Sequence, residues 1–336
     1  MTTKNHRHVG SLFSCAGVTT GFILCLLVDT VAEAQLTPAQ INEFRNVVGD
    51  RVESAVILGG DSGVSGGAYN SVSSKDDSVN LNVSKFGGSG DIYPIRPLGD
   101  SGIGWQPQLQ GNMGYLTAKN NFQAGSLLDG DNSEYKTFAV EFGGGARFWF
   151  NDNFSIAPTL VGMYGHTEES YTANSSFTQS LVPSAQKAGL IDWNADTWTI
   201  TPALNVQYQY TWQRTILTLS SEPDYFHTES FSSSSPNVSV NGDSTTWENK
   251  IDVDTPLGVE LFGHELRTGG FFSRTDVYGD LQDGLKTDYI YEAHGRIVLD
   301  FLGQWWKVQW IGVGVSYLWG SSFNGWSYGA DVTFRF

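Results

Sequence analysis

The chain has 336 residues, and 35 Asp and Glu against 19 Lys and Arg give it a formal net charge of -16 at pH 7. That balance argues against a nucleic-acid partner, because phosphate backbones are bound by clustered Lys and Arg. The surplus acid reads as loops facing divalent cations at a cell surface, and the two cysteines, Cys15 and Cys25, both fall near the N-terminus.

The first element is a targeting segment. Lys4, His6, Arg7 and His8 precede a mostly apolar stretch from Gly10 to Val31, and Ala32-Glu33-Ala34 offers small residues at the two positions a signal peptidase reads. Residues 1–34 are therefore expected to be removed, leaving a mature chain from Gln35. Asp29 and the weak apolar density argue against a membrane anchor, and neither Leu24-Cys25 nor Phe13-Ser14-Cys15 makes a lipobox. Cleavage takes both cysteines with it, so the mature chain is expected to have no disulfide, thiol nucleophile or thiolate metal site. Beyond Ala34 there is no run of about 18 apolar residues, so no transmembrane helix is predicted.

A helix comes next. Thr37 stands at an N-cap with Pro38 at N1 and Gln40 at N3, Leu36 and Ile41 stand where a hydrophobic staple would, and Ile41, Phe44, Val48 and Val52 form a stripe at helical spacing. The spacing predicts a helix over Pro38–Glu53, with residues 35–53 acting as a lumen plug or cap. From Ser54 onward the period changes to two. In Thr197–Trp212, Trp198, Ile200, Pro202, Leu204, Val206, Tyr208, Tyr210 and Trp212 oppose Thr199, Thr201, Ala203, Asn205, Gln207, Gln209 and Thr211. Segments 104–116, 137–150 and 288–301 alternate in the same way, and weaker ones lie near 54–70, 78–88, 214–228 and 264–277. The last segment sets Trp326, Tyr328, Ala330, Val332, Phe334 and Phe336 against Ser327, Gly329, Asp331, Thr333 and Arg335.

Successive strand residues point to opposite faces, so each segment has an apolar wall and a polar one. Lipid-facing and lumen-facing residues alternate in this way in transmembrane barrels, and 9–11 residues suffice for one crossing. Tight connections at 151–153, 213–214, 263–264 and 303–304 alternate with long polar ones expected at Glu168–Asp196, His227–Thr246 and Tyr278–Thr287. That asymmetry matches short periplasmic turns and long extracellular loops. The fold expected over 54–336 is an all-β, up-and-down antiparallel transmembrane barrel of about twelve strands, monomeric, in a bacterial outer membrane. A soluble β-sandwich would not need the apolar terminal strand or the loop asymmetry.

The signal, the short helix, about twelve strands and the ending Phe334-Arg335-Phe336 together resemble the translocator domain of bacterial autotransporters. In that family a helix threads a twelve-stranded pore and leads to a surface passenger. Here only Gln35-Leu36-Thr37 would precede the helix, so the chain is similar to the solitary outer-membrane autotransporter-like β-domains, which carry no passenger. The resemblance implies that assembly machinery reads the terminal strand, with Tyr328, Val332, Phe334 and Phe336 as its signal. It brings no catalytic residues and no cofactor.

The candidate chemistry is thin. Gly-Asp-Ser-Gly occurs at 60–63 and 99–102, but a serine nucleophile needs a base and an orienting group, and these residues also favour turns. His166, His227, His264 and His294 lack paired metal-ligand spacing. His227 and Glu229, with Glu222 and Asp224, stand at an expected extracellular rim, and a rim-located protease or lipase-like hydrolase is the alternative reading. The charged positions on the inward parity are Glu141, Arg147, Asp252, Asp254, Glu260, Glu292, His294, Arg296, Asp300, Asp331 and Arg335. Such charges cost energy unless paired or hydrated, so they read as Arg–carboxylate pairs or as an acidic, cation-favouring pore constriction. The expected role is a passive pore or surface barrel without enzymatic activity.

Overall fold

A computed structural model describes residues 63–72, 78–92, 94–121, 131–174, 176–187, 189, 191–235, 238, 241–285, 287–301 and 308–334. The expected signal (1–34) and N-terminal helix (35–53) lie outside these residues. The strands are β1 (Gly63–Val72), β2 (Ser78–Asp91), β3 (Arg96–Pro97), β4 (Gly104–Asn121), β5 (Asn132–Trp149), β6 (Phe154–Thr172) and β7 (Asn194–Trp212). They continue as β8 (Thr215–Ser233), β9 (Asn241–Leu261), β10 (His264–Gly279), β11 (Tyr289–Asp300), β12 (Val308–Gly320) and β13 (Phe323–Phe334). Two helices, α1 (Ser176–Lys187) and α2 (Asp280–Leu285), interrupt the β6–β7 and β10–β11 connections.

Every wall strand lies antiparallel to its sequence neighbours, and the sheet closes where β1 pairs with β13, Gly66 opposite Tyr328. The two-residue β3 lies outside that count. It continues the line of β2 along the same edge of β4, Arg96 opposite Trp105, and leaves twelve strands in a ring without an edge. Closure of this kind satisfies every strand's backbone groups inside the wall, which is what a hydrocarbon environment demands.

The period-two reading sets the faces. Phe142, Leu160, Ile200, Leu204, Ile251, Val313 and Tyr328 stand exposed on the outer wall, while Thr137, Thr197 and Thr199 on the opposite parity are buried. Outward aromatics form two bands. On β6 Phe154 and Tyr164, and on β7 Trp198 and Tyr208, are each ten positions apart, and aliphatic residues fill the interval. That spacing is one membrane crossing for a tilted strand.

The strands outrun that crossing. β6 and β8 have 19 residues each and β9 has 21, so the walls continue past the upper aromatic band at the loop end. Much of the expected loop His227–Thr246 is therefore strand, and the expected loop Glu168–Asp196 keeps strand only at its two ends, with α1 between them. Ser, Thr, Asn and Asp mark solvent there, and solvent above a membrane suits an extended hairpin as well as a loop. The β12–β13 connection, at Ser321–Ser322, is also tight at this end. At the turn end, Phe262 (φ 55) and Gly263 (φ 78) close β9 to β10 in a two-residue hairpin of the type that matches strand twist.

α1 is held at both ends. The buried Asp131 carboxylate accepts Tyr171 Oη at 2.7 Å, Asn174 N at 2.6 Å and Thr178 Oγ1 at 3.2 Å. Past the C-terminus Gly189 adopts φ +66, and a Cβ there would stand 1.9 Å from Ser235 Oγ, so only glycine fits.

Candidate functional site

The inward parity encloses a lumen cavity of about 500 Å³. Its lining comes mainly from β2, β4, β7, β8, β9 and β11, and its character is set by amides, hydroxyls and charges. Glu141, Arg147, Asp252, Glu292 and Arg296 border it, as do Lys85, Glu222, Asp224, Glu248 and Lys250, which lie outside the expected set.

Three arginines are committed to partners. Arg147 Nε meets Asp91 at 3.0 Å while its Nη1 donates to Ser155, Asn205 and Gln207 at 3.1, 3.3 and 2.9 Å. Arg296 holds Asp252 through two hydrogen bonds of 2.8 Å. Arg267 is bound to Asp254 by Nε at 2.6 Å and approaches Glu265 at 3.6 Å and Asp300 at 4.0 Å. Bidentate Arg–carboxylate geometry is the strong form of such pairs.

A second group stands apart from these three arginines. Glu141, Glu222, Asp224 and Glu248 come from β5, β8 and β9 and face the same space. Neutral donors serve two of them: Gln110 Nε2 and Asn112 Nδ2 donate to Glu141, and Asn205 Nδ2 donates to Glu222. Lys250 reaches Glu248 at 3.2 Å. Glu222 and Asp224 were readable in principle, because Ser220, Glu222, Asp224 and Phe226 share a parity. Ser221 and Pro223 on the apolar side obscure that alternation.

Nearer the loop end the inner face turns from polar to apolar. Tyr69, Leu81, Leu116, Tyr135, Ile290 and Leu318 from the wall converge with Trp193, Val238, Val277 and the α2 residues Leu281 and Leu285 into one buried cluster. Leu116, Val238 and Leu281 have no exposed surface. An apolar cluster thus gathers on the inner face at the loop end, which period-two patterning gives no reason to expect. The nearby Glu169, also buried, accepts Ser133 Oγ at 2.7 Å and Asp192 N at 2.8 Å.

The remaining predicted positions are scattered. His294 Nδ1 lies 2.7 Å from Ser316 Oγ and stacks on Phe271. Glu260 is exposed at the turn end, away from the lumen constriction expected for it, because extra residues around Gly258 (φ +69) lengthen β9 ahead of its last turn. Asp331 pairs with Gly312 on β12, Val332 and Phe334 lie on β13, and Tyr328 is 72% exposed on the outer wall. Arg335 and Phe336 lie outside the described residues.

The hydrolase grouping does not assemble. His227 and Glu229 sit on the outer wall, His227 Nδ1 lying 2.9 Å from Asp243, whereas Glu222 and Asp224 line the lumen. The sequence spacing put them on one strand; an odd interval put them on opposite faces. Gly99–Gly102 is a turn, with Ser101 Oγ donating to Leu98 O at 2.6 Å and accepting from Ile103 N at 3.2 Å.

Comparisons agree with this geometry. Residues 94–328 match the model of the family described as solitary outer membrane autotransporter beta-barrel domain. Among solved structures, the transport unit of the autotransporter AIDA-I from Escherichia coli is similar at 11% identity and a TM-score of 0.59, covering 90% of this chain and 100% of that one. The translocator domain of NalP from Neisseria meningitidis is similar at 10% identity and a TM-score of 0.50, covering 96% and 100%. The beta domain of the Bordetella autotransporter BrkA matches at 14% identity and 0.50, covering 82% and 100%. No curated protein sequence matches.

Proposed function

The chain belongs to the solitary outer-membrane autotransporter β-barrel family and resides in the bacterial outer membrane; from that premise we propose that it is a non-catalytic barrel whose lumen is a narrow, cation-preferring path stoppered at the loop end. The observation that carries this reading is the serial arrangement of the carboxylates Glu141, Glu222, Asp224 and Glu248 and the apolar cluster built on Leu281 and Leu285. Carboxylates along a low-dielectric wall concentrate cations, and an apolar constriction resists wetting and so blocks conduction. The paired arginines neutralise part of the field, which limits the preference.

Planar-bilayer recording tests both parts. The wild-type barrel should conduct weakly, and a Leu281→Ala/Leu285→Ala variant should conduct more, with reversal potentials under a salt gradient showing cation preference. Anion preference, or a stopper variant no more conductive than wild type, overturns the reading. Peptide, ester and phospholipid substrates should show no turnover; turnover lost in His227→Ala would make the barrel a hydrolase. The reading includes cleavage after Ala34, assembly through the β13 signal and a monomeric state; mass spectrometry of the mature N-terminus and of the detergent-purified particle checks the first and the last.

A further inference from the structure

Two successive hairpins carry the same motif. β6 contains Tyr164-Gly-His166-Thr-Glu168, and β8 contains Tyr225-Phe-His227-Thr-Glu229. Their partner strands begin with matching triplets, Asn194-Ala-Asp196 on β7 and Asn241-Gly-Asp243 on β9. The geometry repeats as well. His166 Nδ1 lies 2.7 Å from Asp196 and its Nε2 3.3 Å from Glu168, while His227 has Asp243 at 2.9 Å and Glu229 at 3.5 Å. In each cluster the tyrosine hydroxyl donates to the aspartate. Both histidines stand on the outer wall, each two positions beyond an outward tyrosine, Tyr164 or Tyr225, toward the loop end.

Each aspartate is tied to a part of the stopper. Asp196 on β7 follows Ala195 and, just before the strand, Trp193 of the apolar cluster and is hydrogen-bonded by Ser232 near the end of β8. Asn194, two residues before it, accepts Ser234 N at 2.9 Å, and Ser235 O accepts Val238 N at 3.1 Å, which leads directly to a stopper residue. Asp243 donates its backbone N–H to Asp280 at the start of α2 (2.9 Å), and Ser244 Oγ accepts Leu281 N at 3.0 Å. A Cβ at Gly242 would stand 2.7 Å from Asp280 Oδ2, so the absence of a side chain there leaves room for the Asp280 carboxylate at the Asp243 amide.

We propose that the two Tyr–His–Asp–Glu clusters form a paired proton-responsive latch that holds Val238, Trp193 and α2 in the loop-side mouth while His166 and His227 are charged. This rests on the stoppered-pore reading only for its consequence, conduction. The groups facing His166 are Asp196 and Ser232 across the β7 side, Phe138 across the β5 side, with Lys136 opposite Glu168. Those facing His227 are Asp243 on β9 and the Trp198 ring at 5.7 Å on β7. Hydrogen bonding to the aspartates and glutamates raises both imidazoles above their ordinary value; the His166 pairing lowers Asp196, and the Tyr225 hydroxyl, followed by His227, lowers Asp243. The latch therefore holds fully below the ordinary histidine value and is released as pH rises through the raised one. The aspartates' contribution is lost only as pH falls through their lowered values.

Hydrogen exchange on the full barrel in detergent, corrected for intrinsic rates, reads the latch without reference to conduction. From pH 6 to pH 9, protection of segments 191–197, 241–246 and 279–285 should fall severalfold as the histidines lose their protons. In His166→Gln/His227→Gln the low protection should persist at both pH values. In His166→Arg/His227→Arg, which stays charged, high protection should persist at pH 9. Wild-type protection that does not change with pH, or a Gln variant that keeps the wild-type slope, overturns the latch. Parallel bilayer recordings separate the two claims: the expected exchange pattern without conduction at any pH upholds the latch and sinks the pore, and conduction without the exchange pattern does the reverse.

Discussion

At the residue scale, the surroundings of each charge decide its role. Glu169 is buried on the inner face of β6, beyond the upper aromatic band, and burial pushes its carboxyl up to about 7. An acid whose folded value is raised stabilises the fold fully below its ordinary value of 4.5 and loses that contribution as pH climbs towards 7. Local exchange at 189–193 should accordingly quicken between those limits, and Glu169→Gln should flatten the slope. Arg296 shows the other case. Arg296→Ala leaves Asp252 without its two 2.8 Å hydrogen bonds and should strengthen cation preference in reversal-potential measurements, while Asp252→Asn should weaken it. Equal shifts in both variants would mean that this pair lies outside the conducting path.

At the scale of elements, the loop end is built from pieces that cannot stand alone. A helix as short as α2, six residues, is marginal in water. It persists because Leu281 and Leu285 are buried and Asp280 and Leu281 are tied to β9. α1 carries Pro183 inside it, which costs an intrahelical hydrogen bond, and Asp131 supplies compensating anchors. Asp131→Ala leaves the Asn174 amide and two hydroxyls without this acceptor, at about 1–3 kcal/mol for each buried group left unsatisfied. Limited proteolysis should then cut between 173 and 193 in a barrel that remains heat-modifiable. Prolines also mark the ladder: pairing of β5 with β6 skips Ala146 and Arg147, where Pro158 stands opposite.

At the scale of the whole molecule, closure and the apolar outer wall predict a barrel that resists detergent until heated. Unboiled protein should migrate faster than boiled protein in detergent gels; recovery as a soluble periplasmic monomer would contradict the architecture. The long-strand end should face the outside of the cell. On a chain cleaved after Ala34, which would have no cysteine of its own, Gln179→Cys on α1 should react with a membrane-impermeant maleimide on intact cells, and Phe262→Cys at the turn end should not. The reverse labelling would invert the barrel, placing stopper and histidine clusters on the periplasmic side.

Alternation along 104–116, 137–150, 197–212 and 326–336 was enough to determine strands, faces, the membrane-barrel class and the approximate strand number, because one apolar parity in each strand is a local property of the chain. Inward positions of Glu141, Arg147, Asp252, Glu292 and Arg296 follow from the same parity. The sequence also contains the two Tyr-x-His-Thr-Glu motifs, but nothing local says that their aspartates stand on the next strand. Pairing partners depend on register and closure, which are non-local. Only the folded barrel brings Arg267 to Asp254, groups Glu141 with Glu222, Asp224 and Glu248, and sets Glu222 and Asp224 behind the wall from His227. The stopper belongs to the same category: Tyr69, Leu116, Val238, Leu281 and Leu318 are far apart in sequence and meet because a closed ring places the loop ends of all its strands around one mouth, where burying apolar side chains against each other stabilises more than leaving them wet.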